Sequence, residues 1–111
     1  MDREIVKERL RRAYGRTVSG AESWVDYAFA HNLNGPQMLP PGSIRPGDLV
    51  ETCGVSYIAG TWQRSPLPFD QANEPDGYWN LFVLTPDAQD RVIGSRAPAH
   101  DVRLVRPLEG D

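Results

Sequence analysis

The chain predicts an α+β domain, with an N-terminal helical hairpin packed on a small five-stranded antiparallel β-barrel. Three observations predict it. The first 31 residues carry apolar side chains at helical spacing, the pattern of one-sided packing. Of 10 Gly and 10 Pro, only Gly15 and Gly20 precede residue 35, so the turn-forming residues are confined to the remainder. From Asp48 onward, short runs of β-branched and aromatic residues alternate with turns, as strands require. At 111 residues the chain is one domain's worth. The expected layout is a hairpin over 1–34, a connector over 35–47 and a barrel over 48–111.

The first helix is expected over Asp2–Tyr14, where Val6, Leu10, Ala13 and Tyr14 form one apolar stripe. Asp2 and Glu4 complement its positive end and Arg11 and Arg12 its negative end. Gly15 is placed to end it in a left-handed conformation. Ser19-Gly20-Ala21-Glu22 matches a capping box that starts a second helix. Ala21, Trp24, Val25, Ala28 and Phe29 continue its period to about His31, before the stop residues Asn32–Pro36. The stretch 34–47 holds four prolines and three glycines and reads as an extended connector.

Strands follow. Asp48–Cys53 is the first and Val55–Gln63 the second, with Gly60 marking a bulge or sharp bend. Arg64–Gly77 contains three prolines and reads as a long loop, a class of segment that tends to carry function. Tyr78–Thr85 is the strongest strand. It places Trp79, Leu81 and Val83 on one face and Tyr78, Asn80, Phe82 and Leu84 on the other, so it should be central and covered on both sides. Pro86–Asp90 reads as a turn, Arg91–Gly94 as a short return strand and Ser95–Asp101 as an irregular or 3₁₀ piece. Val102–Val105 closes the set, with Val102 and Leu104 on one face.

Arg45-Pro46-Gly47-Asp48-Leu49-Val50-Glu51 and the closing Ala97–Val105 resemble the two ends of SH3-like small β-barrels. The resemblance covers about residues 45–106. It implies a five-stranded barrel with a 3₁₀ turn before the last strand. It also implies a binding role for aromatics beside the long loop, with peptides, proteins or nucleic acid as ligands. The matching contact residues are Tyr57, Trp62, Arg64, Phe69 and Tyr78. The acidic loop residues Asp70, Glu74 and Asp76 argue against the nucleic-acid-binding KOW subtype, which usually has a basic loop. Pro46–Val50 also occurs in NlpC/P60-type cysteine peptidases, but Cys53 follows the string here instead of preceding it, and no His-x-Gly comes after.

The formal net charge is −3, a poor footprint for non-specific nucleic-acid binding. A local basic face on the first helix (Arg3, Lys7, Arg11, Arg12, Arg16) keeps nucleic acid as an alternative partner. The second helix carries Glu22 and Asp26 and no Arg or Lys, so it is a poor recognition helix. The lone Cys53 excludes an intrachain disulfide and a multi-thiolate metal site. It is expected to be a buried structural thiol, not one half of a Cys53–His100 dyad. His31 and His100 lack ligand-spaced partners, Asp87 and Asp90 fit a turn better than an acid–base pair, and no Gly-rich phosphate loop occurs. No cofactor, no metal and no enzymatic activity are therefore expected. With no apolar run long enough to span a bilayer and a charged N-terminus, neither a membrane anchor nor a signal peptide is expected, and the setting should be cytoplasmic. The expected function is a non-catalytic protein-binding or adaptor module. Arg outnumbers Lys 11 to 1, as GC-rich codons produce, which suits a bacterial or phage accessory protein. A phage connector-type structural subunit is a further alternative.

Overall fold

A computed structural model describes residues 2–31, 42–64, 67–85 and 94–106. Helix α1 spans Asp2–Tyr14 and α2 spans Ser19–Ala30. They precede five strands: β1 (Leu49–Thr52), β2 (Val55–Gln63), β3 (Tyr78–Val83), β4 (Gly94–Pro98) and β5 (Arg103–Arg106). A short helix α3 (Pro68–Asn73) interrupts the β2–β3 connection, and a 3₁₀ turn, Ala99–Asp101, precedes β5. All pairings are antiparallel, in the order β4-β3-β2-β1-β5. The α+β class and the helices-then-strands order are as expected. Closure is not: β4 and β5 do not pair among the described residues, so the sheet is open and the expected closed barrel is corrected.

The helices cover one face of this sheet. Val6 and Leu10 of α1 and Ala21 and Val25 of α2 meet Ile58 and Phe82 of the sheet, with Val18 closing the inter-helix turn. Burial of each larger side chain contributes about 1.5–3 kcal/mol, so this layer holds the hairpin in place. Gly15 adopts φ +73, the left-handed stop expected of it. The capping box does not form. Val18 occupies the cap position, with no side-chain cap bond, and its carbonyl accepts from the Ala21 and Glu22 amides. Val18 is buried in the core, and that burial outweighs the local preference for a serine cap.

The opposite face carries a second core: Val50, Ala59, Trp62, Trp79, Leu81, Ala97 and Val102, with Ile44 from the turn before β1. Strand β2 serves both cores by alternation, Ile58 one and Ala59 the other, and a register shift between Ala59 and Trp62 adds Trp62 to the second. The extra residue reverses side-chain alternation, so Ala59 and Trp62 share a face that simple counting would deny them. Gly60 sits inside this bulge. A Cβ there would lie 2.4 Å from Phe82 Cε2 and 2.8 Å from the Asn80 carbonyl oxygen. Only glycine lets Phe82 lie across β2.

Other features differ from the sequence reading. Strand β4 occupies residues expected to be irregular, because Ser95–Pro98 pair with Tyr78–Leu81. The Arg64–Gly77 loop contains α3, with Pro68 in its first turn. Cys53 is exposed, not buried: it stands at φ 51 beside Gly54 at φ +77, in the two-residue turn joining β1 and β2. The expected turn 86–90, the return strand over 91–93 and the connector through residue 41 lie outside the described residues.

Tyr14 ties α1 to the sheet by donating from its hydroxyl to the Val83 carbonyl at 2.8 Å. Burial pushes its phenol from 10.0 up to about 12. The unfolded chain then releases this proton at lower pH than the folded one. The associated stability is complete below pH 10 and lost as pH rises through about 12. Urea unfolding in that window should show a steeper alkaline loss for the native chain than for Tyr14→Phe, and equal slopes would refute it. Gly60→Ala should lower unfolding free energy by about 1–3 kcal/mol in the same measurement, since Phe82 must shift.

Candidate partner-binding surface

Past Phe82, the sheet face on which α1 and α2 pack turns polar. Asn80 Nδ2 donates to Thr61 Oγ1 at 2.7 Å, Gln63 Nε2 donates to the same hydroxyl at 3.3 Å, and the Tyr78 hydroxyl donates to Gln63 Oε1 at 3.1 Å. Alternation places these residues opposite Trp79 and Leu81. Burial raises the Tyr78 phenol above its ordinary range, while the nearby Arg96 works the other way. Arg96, paired with Asn80 across β3–β4, stacks on the Tyr78 ring with its guanidinium carbon 3.6 Å from the centroid.

The same guanidinium reaches the 64–77 segment. Its Nε donates to Glu74 Oε2 at 3.2 Å, its Nη2 donates to Glu74 Oε1, and Nη2 lies 4.0 Å from Asp70 Oδ2. The far end of the segment is fixed separately. Trp62 Nε1 donates to the Asp76 carbonyl at 2.8 Å, and the Ala99 amide donates to the Gly77 carbonyl at 2.9 Å. Gly77 has φ +78, and a Cβ there would lie 2.5 Å from the Gln63 carbonyl oxygen. Upstream of the Asp76–Gly77 anchor, α3 buries none of its residues. Phe69 is 78% exposed and Leu67, just before the helix, is 59% exposed.

Of the five contact residues expected from sequence, Arg64 and Phe69 therefore lie at the surface and Tyr57 is half-buried against the second core. Trp62 and Tyr78, at 9% and 7% exposure, are engaged by the fold's own bonds. Leu67 and Arg96 were not foreseen. Pro68 before an apolar residue was a usable signal for α3. Nothing in the spacing marks Arg96, which lies 22 residues from Glu74.

On the first helix, Lys7 Nζ lies 2.9 Å from Asp26 Oδ1, and Arg3 Nε lies 3.7 Å from it. Arg11 makes a two-pronged pair with Glu22 at 2.8 and 3.2 Å, which holds the Glu22 carboxyl below its ordinary range. Arg12 faces Glu8 at 3.4 Å, and Arg16 is exposed. Three of the five expected basic residues thus lie against the acidic side of α2. The other flank of α2 carries an exposed aromatic row. Trp24 and Tyr27 pack edge to face with centroids 5.8 Å apart, and His31 stacks on Tyr27 at 4.1 Å. Trp24 was expected in the core but is half exposed, because the helix rests on Ala21 and Val25.

A groove of about 410 Å³ opens on the second core between Ile44, Trp79, Val102 and Leu104, with Asp76 and His100 also lining it. His100 Nε2 lies 3.6 Å from Asp101 Oδ1, whereas Cys53 Sγ lies 4.0 Å from Thr52 Oγ1 at the hairpin tip. No hydrogen bond joins Cys53 to His100 among the described residues, and no three His, Cys, Asp or Glu side chains there cluster as metal ligands. No helix among them is long and apolar enough to cross a membrane. No protein-family model, curated protein or solved structure matches the chain.

The pairing between helices should be visible in stability. Removing the Lys7–Asp26 contact with Lys7→Met keeps the stem packed. It should make unfolding less sensitive to added salt than in the native chain, as denaturant midpoints at low and high salt would reveal.

Proposed function

We propose that this protein is a non-catalytic protein-binding module of SH3-like type, with the 64–77 segment as its contact surface. The observation that carries the reading is Phe69, a large aromatic displayed to solvent on a short helix whose C-terminal flank, Glu74 and Asp76, is anchored to the sheet. Exposed apolar side chains scattered singly are ordinary, but a protruding aromatic beside Leu67, held by specific polar bonds, is the form of an interface anchor. Its partner would offer an apolar socket for Phe69. A basic group on the rim of that socket would complement Asp76, since Asp70 and Glu74 already face Arg96. A 3₁₀ turn before a last strand that returns to β1 supports the SH3-like assignment. The occupation of Arg3, Lys7 and Arg11 by Asp26 and Glu22 favours a helix-hairpin role for those residues over phosphate contacts.

A photo-cross-linking phenylalanine analogue at position 69, introduced in the native host, should join the chain to one partner protein. The same group at exposed Val55, on the β1–β2 hairpin, should not. With that partner purified, Phe69→Ala should weaken binding by about ten- to a hundredfold in calorimetry. Equal cross-linking at both positions, or unchanged affinity, would discard the reading.

A further inference from the structure

We propose that Arg96 is a latch: it holds α3 against the sheet and thereby determines where Phe69 is displayed. The latch regulates the binding surface proposed above and, for its functional consequence, rests on that reading. A helix of six residues cannot sustain itself in water, because nucleation is unfavourable and too few bonds follow it. With no residue of α3 buried, its position must be fixed by contacts from elsewhere.

Arg96 supplies such contacts at both ends of the last helical turn. Glu74, the residue capping α3, donates its amide to the Asp70 carbonyl at 2.7 Å, and the Arg96 guanidinium faces both carboxylates. The hydrogen bond from Arg96 to Glu74 makes the guanidinium harder to deprotonate than an isolated one. The other side of the latch is rigid. Arg96 lies in β4 opposite Asn80, and its plane rests on Tyr78, whose hydroxyl is tied to Gln63. A planar fork stacked on a ring loses little freedom in gripping a carboxylate, an arrangement lysine cannot reproduce.

The Asp76–Gly77 end stays fixed to Trp62 and Ala99 when the latch lets go, so α3 and its cap Glu74 are what the release frees. The segment then has two states. In the seated state Phe69 occupies one place. In the released state it does not, and a partner must order it on binding, which lowers apparent affinity by the seated fraction. Arg96 is on this account a positioning residue that acts on binding without touching the partner.

Amide hydrogen exchange of the full chain tests the latch without any partner. In Arg96→Gln the Gln71 and Glu74 amides, which donate to Leu67 and Asp70, should exchange about tenfold faster, while β2 and β3 amides keep their rates. Unchanged exchange at Gln71 and Glu74 would overturn the proposal. Should Arg96→Gln accelerate the strands as well, Glu74→Gln decides, because it leaves the strand side intact. Faster exchange confined to residues 67–76 supports the latch, and native rates overturn it. If exchange responds as expected but cross-linking at position 69 fails, the binding reading falls and the latch stands.

Discussion

The fold depends on the bulge in β2 more than on any other single feature. A central strand paired on both edges and covered on both faces has strict alternation, so each residue is committed to one side. Alternation gives Ile58 to the core beneath the helices and Ala59 to the opposite core, and the register shift between Ala59 and Trp62 brings Trp62 to the side of Ala59. Trp62 is then available to bind the Asp76 carbonyl and fix one end of the 64–77 segment. Thr61 and Gln63 fall on the polar side, where they complete the network with Asn80 and Tyr78. The place of Trp62 in the second core and the anchor at Asp76 trace back to this one inserted residue, and the seat of Phe82 beneath the helices to the glycine beside it.

Apolar and polar contacts divide the work. Val6, Leu10 and Val25 set the hairpin on the sheet, while Lys7, Arg11, Asp26 and Glu22 select how the two helices face each other. Surface ion pairs are screened and individually weak, so they adjust orientation within a contact that burial has already made. The 64–77 segment is organised the other way round. It has polar anchors and exposed apolar tips, which is why it is the part of the molecule suited to meeting something else.

Much of the architecture was legible because local pattern and tertiary demand agree there. The α1 stripe ends at a glycine free to turn left-handed, and the β3 sequence is apolar on both sides as a central strand must be. Misreadings fall where tertiary contacts override local pattern. Val18 enters the core and displaces the serine cap, and Trp24 lies on the flank of a stripe whose counting cannot tell centre from edge. Gly94–Pro98 has weak strand character of its own and becomes a strand because β3 offers an edge. In the candidate site, Arg64 and Phe69 were readable as exposed loop residues. The burial of Trp62 and Tyr78 was not, since it follows from the bulge and from long-range bonds. Arg96 joins the site through contacts 18 to 26 residues distant, as Tyr78, Glu74 and Asp70 are.

Among the described residues β5 is an edge strand, bounded by Arg103 and Arg106 and followed in sequence by Pro107. Two copies that met edge to edge, antiparallel and in register along these four residues, would set Arg103 of each against Arg106 of the other. Like charges directly opposed across strands repel, and proline cannot extend the ladder. The strand that completes the sheet thus discourages its own continuation, and this edge of an unclosed sheet is a poor template for a further strand.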